Sequence, residues 1–152
     1  MKYPRPISIL LATFFLTVTA GTTKQQASPQ SVLPNPVLYL TSTETVTKAG
    51  KTSVRYHFDV ANKEAYPAAM FAPAPGLPPC GANTNSSRTW VDILDQRGKR
   101  LYGFCALGKP DDLGKIWFEV AEDEVPPSWI YIEMSDRQTS TKYKSNLAET
   151  TL

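Results

Sequence analysis

Between Cys80 and Cys105 the chain reads CGANTNSSRTWVDILDQRGKRLYGFC, and no other stretch limits the fold as tightly. Thr89 to Asp95 and Lys99 to Cys105 are short runs rich in residues that suit a pleated strand. Asp95-Gln96-Arg97-Gly98 lies between them. Asp suits the first position of a type I turn, and Gly98 suits the left-handed position that follows it. The two runs therefore predict an antiparallel hairpin. Gly103, inside the second run, predicts a bulge or a close neighbour.

The remaining chain has the same character. Val37 to Thr47 is rich in β-branched residues and reads as a first strand, with Lys48 to Lys51 as its turn. In Thr52 to Ala61, Val54, Tyr56, Phe58 and Val60 alternate with Arg55, His57 and Asp59. A period of two puts the first set on a core and the second in water. Ala65 to Phe71 reads as one short strand. Pro67, Pro73, Pro75, Pro78 and Pro79 then crowd into 13 residues. Proline cannot donate to a ladder, so this segment is an irregular crossover. Gly108 to Gly114 reads as loop, Lys115 to Val120 and Trp129 to Met134 as strands, and Thr141 to Leu147 as a polar edge strand. The pattern contains no clear helix. Seven to eight short strands with turn signals between them predict an all-β fold, an antiparallel β-sandwich of the immunoglobulin or fibronectin III type.

The start of the chain predicts export. Lys2 and Arg5 precede the apolar run Ile7 to Val18, and Val18-Thr19-Ala20 offers a cleavage site after Ala20. The expected organisation is a signal peptide over 1–20, a flexible leader over 21–35, a sandwich domain over 36–148 and a tail over 149–152. The localisation read from this is secreted or periplasmic, without membrane insertion after cleavage. Of the 16 Lys and Arg, removal of Lys2 and Arg5 leaves 14, equal to the 14 Asp and Glu. That balance offers no electrostatic case for nucleic acid. Two cysteines in an exported chain most simply form one disulfide, Cys80–Cys105. Their separation of 25 residues rules out a C-x-x-C motif, and closing such a loop is worth about 3–4 kcal/mol on a chain-entropy account.

Few residues suggest chemistry. His57 is the single histidine and should face solvent on its strand. No Gly-x-Ser-x-Gly elbow accompanies it, so a nucleophile–base pair is not indicated. Neither a metal centre nor a cofactor is expected. The carboxylates Asp111, Asp112, Glu122, Asp123 and Glu124 lie in loops, and Asp92, Glu119 and Glu133 on strands. Two of them across a cleft would suit glycoside hydrolysis. The aromatic residues are more suggestive. Inward Ile116, Phe118, Ile130 and Ile132 place Trp117, Trp129 and Tyr131 on outward faces. With the polar loop residues Asn83, Asn85 and Arg88, these form the candidate binding set.

Leu77-Pro78-Pro79-Cys80-Gly81, Asn83 to Ile93, Leu101 to Cys105, Asp136-Arg137 and Tyr143 to Asn146 resemble a family of short exported bacterial proteins of unassigned function. The resemblance spans roughly residues 35–147 and implies no catalytic residues. The expectation is a non-catalytic binding or interaction module of the cell envelope, with an envelope protein or glycan as partner. A small glycan hydrolase and a structural accessory subunit are the alternatives.

Overall fold

A computed structural model describes residues 32–80, 86–106 and 108–151. The expected signal peptide over 1–20, residues 21–31 of the expected leader, and the candidate residues Asn83 and Asn85 lie outside the described residues. The compact unit runs from Val32 to Leu152.

The described residues form eight strands in two antiparallel sheets. These are β1 (Leu38–Lys48), β2 (Lys51–Val60), β3 (Thr89–Asp95), β4 (Arg100–Ala106), β5 (Ile116–Ala121), β6 (Trp129–Asp136), β7 (Thr141–Lys144) and β8 (Ala148–Glu149). The smaller sheet has the order β1-β2-β5; the larger has β4-β3-β6-β7, with β8 also paired to β6. Strand alternation sets the inner faces. Phe58, Val60, Val91, Ile93, Ile116, Ile130, Ile132 and Met134 have no solvent exposure. Each such side chain contributes about 1.5–3 kcal/mol through burial. Tyr56 and Phe58 stack on Phe118 across β2 and β5, with ring centres 5.1 and 5.9 Å apart.

The hairpin forms as its turn chemistry predicts. Gly98 has φ +81°, and its N–H donates to Asp95 O at 2.9 Å. The Asp95 carboxylate accepts from the N–H groups of Arg97 and Lys99, each at 2.8 Å. Of the two readings of Gly103, the close neighbour holds; Gly103 itself stays in register opposite Asp92, and the extra residue of β4 is Leu101. The ladder slips between Ile93 and Leu94, and a Cβ on Gly103 would stand 2.7 Å from both Asp92 Oδ1 and Trp90 Cζ2. The Cys80–Cys105 disulfide is present with Cα atoms 6.1 Å apart. Trp90 pairs with Cys105 in the β3–β4 ladder, so the bond ties the crossover to the far end of the hairpin.

Three expectations are corrected. Ala65 to Phe71 is not a strand: two 3-10 turns, Lys63–Ala65 and Ala68–Met70, occupy that region, and they bring Met70 and Phe71 into the core. Alanines and Pro67 give no alternating face to pair, so local i to i+3 bonding wins. Gly108 to Gly114 is not a simple loop. Pro110–Lys115 is a 3-10 helix whose Leu113 is fully buried. A lone apolar residue leaves no periodicity to read. The last strand breaks after Lys144 and resumes as β8. At the break, Asn146 Oδ1 accepts from Leu38 N at 2.8 Å and its Nδ2 donates to Leu38 O at 2.9 Å. One side-chain amide thus bonds the β1 backbone as a neighbouring strand would. Order continues past residue 148: Thr150 is buried, and its N–H donates to Ser128 O at 3.1 Å.

Candidate functional site

Antiparallel register assembles a polar row on the outer face of the smaller sheet. Glu44 of β1 lies opposite Arg55 of β2, which lies opposite Glu119 of β5. Opposite charges in directly facing positions attract across a ladder. Arg55 Nη1 donates to Glu44 Oε1 at 2.6 Å and its Nε to Glu119 Oε1 at 2.9 Å; Nη2 also reaches Glu119. His57 Nε2 lies 3.1 Å from Glu44 Oε1. The bonds from Arg55 hold the Glu119 carboxyl below its ordinary range, and the bond with His57 does the same for Glu44. Hydrogen bonding to Glu119 in turn raises the affinity of Arg55 for its proton.

One row along, His57 faces Trp117. Arg55 sits over the Trp117 ring at 4.6 Å, and Tyr102 of β4 stacks on that ring at 5.8 Å. Phe104 continues the series, 6.4 Å from Tyr102. These rings span the open side of the sandwich, where β4 and β5 are the edges of their sheets. A groove of about 690 Å³ runs there. Its walls are the hairpin turn with Arg97 and Lys99, the ring pair Tyr102 and Trp117, and the loop from Glu124 to Ser128. Arg97, Lys99 and Val125 are exposed.

The outward aromatic residues do not form one row. Trp117 belongs to the smaller sheet, whereas Trp129 and Tyr131 start β6 in the larger one. The two outer faces of a sandwich point apart. Trp129 keeps 38% of its surface exposed, and Tyr131 is half-buried with Lys144 Nζ 4.1 Å over its ring. Parity located each residue's face, but the sheet it joins depends on strand order.

Arg88 is placed as a structural residue. Its Nε and Nη2 donate to the two carboxylate oxygens of Asp136 at 2.8 and 2.6 Å. Asp136 is only 2% exposed. It also accepts from Thr139 Oγ1 at 2.8 Å and Gln138 N at 3.0 Å. The Arg88 bond, followed by these smaller ones, holds the Asp136 carboxyl down to about 2. Arg88 also borders a smaller pocket of about 430 Å³ lined by the proline crossover.

Sequence reasoning missed the Glu44–Arg55–Glu119 row, Tyr102 as a wall of the groove, and Arg137, whose Nη1 lies 2.9 Å from Cys80 Sγ. The alternation of Arg55 and His57 was visible, but their partners were fixed by register. Asp92 and Arg100 also meet, 2.7 Å apart, in an ion pair whose N–H misses the hydrogen-bond line to the oxygen. Among the described residues no cluster of three or more His, Cys, Asp or Glu could hold a metal ion. None of their helices is long and apolar enough to cross a membrane. No family model, curated protein or solved structure matches the chain.

Proposed function

We propose that the protein is an exported, non-catalytic binding module of the cell envelope, and that it takes an extended ligand in the groove between β4 and β5. The observation that carries this reading is the Tyr102–Trp117 stack, which faces that groove between strands β4 and β5, each the edge of its sheet among the described residues. Aromatic rings and arginine supply much of the binding energy of protein surfaces. A stacked pair between exposed Arg97 and Lys99 on one wall and exposed Glu124 on the other gives a ligand an apolar seat and a rim of both charges. An envelope protein segment or a glycan fits that description. The disulfide supports export, since such bonds persist in oxidising compartments. The resemblance to short exported bacterial proteins agrees with the same setting.

A hydrolase reading is weaker. A glycosidase needs one carboxylic acid with a raised pKa. Here Glu119 is held by Arg55, Asp111 by Lys109 and Glu133 by Lys142. Glu119 and Asp111 are both pushed down by those bonds.

An immunoglobulin-like class is part of the proposal. The constant-type order places strands 1-2-5-4 in one sheet and 3-6-7 in the other. The order here differs by the passage of β4 to the edge beside β3.

Titration of the folded protein with soluble envelope glycans and with an envelope protein fraction, followed by tryptophan fluorescence, tests the function. A saturable shift that Trp117→Ala abolishes and Trp129→Ala keeps is expected. Equal loss in both variants, or no saturable shift with either fraction, overturns the groove assignment. Export is tested by the amino terminus of the exported protein, expected to begin at Gly21.

A further inference from the structure

The two sulfurs of the disulfide have different surroundings. Cys80 is buried at 5% exposure. Its Sγ accepts from Arg137 Nη1 at 2.9 Å and from Ser87 N at 3.4 Å. Arg137 is anchored there by Ser87 O at 2.9 Å and Pro78 O at 2.8 Å, so the cation is held in place against the sulfur. Cys105 lies on β4, an edge strand of the larger sheet, opposite Trp90 and only half-buried. Among the described residues no donor is bonded to its sulfur. A structural bridge does not require a guanidinium aimed at one of its sulfurs.

We propose that this bond is a directed thiol-exchange site: an external thiolate adds to Cys105, and Cys80 is the leaving group. The attacking thiolate supplies the electron pair for a new S–S bond to Cys105 Sγ. The Cys80–Cys105 bond breaks, and its electron pair stays on Cys80 Sγ as a thiolate. The product is a mixed disulfide at Cys105 with no net oxidation. A thiolate is stabilised beside an arginine and by N–H donors. Exchange is faster when the leaving thiol has a lower pKa, and it requires access to the sulfur attacked. Both conditions select the same direction. Arg88 and Asp136, on the neighbouring backbone, are bonded to each other. The chemical class of the modifying group is a small thiol or the exposed thiolate of a dithiol protein. This assignment is independent of what the groove binds.

The test uses the folded full-length protein and reduced glutathione, with acid quenching, alkylation of free thiols under denaturing conditions, and peptide mass mapping. Glutathione is expected on Cys105 and the alkyl label on Cys80, with at least about a tenfold excess over the reverse pattern. Arg137→Gln should slow opening about tenfold, and Arg137→Lys, which keeps the charge, should restore most of the rate. A purely structural Arg137 predicts the opposite sign, because loosening the crossover would speed opening. Glutathione on Cys80, an even distribution, or an Arg137→Gln rate that is unchanged or faster overturns the proposal. If Arg137→Gln does not fold, the labelling pattern of the unaltered protein decides.

Discussion

Two arginine–carboxylate arrangements in this molecule have the same chemistry and different consequences. Arg88 and Asp136 meet where the crossover enters β3, and the Asp136 side chain is 3% exposed. Arg55 meets Glu44 and Glu119 on the outer face of the smaller sheet, where Glu44 is 48% exposed and Glu119 25%. Burial makes the first pair an obligation. Once water is removed, each charge depends on the other, and Asp136 fills its remaining lone pairs with Thr139 and Gln138. Exposure leaves the second group replaceable, because water and salt can take over either partner. Charges at the first place fix the fold. At the second they stay in contact with solvent, beside the rings of Trp117 and Tyr102.

The largest effect that would break this contrast is at Arg88. Arg88→Ala strands a buried carboxylate and should cost about 3–5 kcal/mol in urea unfolding. Arg55→Ala should cost far less, and its effect should fade in molar salt. Equal losses would mean that exposure does not separate the two sites. Replacing both Cys80 and Cys105 with Ser should cost roughly 2–5 kcal/mol, the range for a native bridge in a small exported domain. A loss well under that range would show that Arg88 and Asn146 already hold the crossover and the sandwich edge.

Acid sharpens the contrast further. The ordinary carboxyl value is 3.8, and Asp136 sits at about 2 when folded. Between those values the unfolded chain binds the proton more readily, so stability rises with pH. The Asp136 contribution is complete above about pH 4 and is lost as pH falls through about 2; the shift corresponds to about 2 kcal/mol. Asp136→Asn should flatten that acid limb in pH-dependent unfolding, whereas Glu44→Gln should leave it in place. The smallest effect is expected at His57, whose one side-chain bond is to an exposed carboxylate. His57→Ala should change stability by no more than about 0.5 kcal/mol. A larger loss would show that the outer row is a structural network and not an adaptable surface.

Alternation along Thr52 to Ala61, Lys115 to Val120 and Trp129 to Met134 made the strands and their buried faces legible. Asp95 and Gly98 made the hairpin legible, and a count of two cysteines made the bridge legible. These are local or counting signals, carried by a few neighbouring residues. Strand order, cross-strand register and the sheet to which each face belongs were not local. Glu44 and Glu119 are 75 positions apart in numbering and both close on Arg55 because β1 and β5 flank β2. Trp117 and Tyr131 have the same outward parity, yet β5 and β6 pair into different sheets and carry the two rings to opposite sides. Tyr102 lines the groove because β4 and β5 are both edges, and Arg137 reaches Cys80 because β6 ends beside the crossover. The sequence by itself determined which residues prefer a pleated strand and which side of it faces the core, since a period of two needs no partner to be read. Only the tertiary structure decided who meets whom across the sheets, because those contacts depend on pairing between distant strands and on the desolvation that pairing imposes.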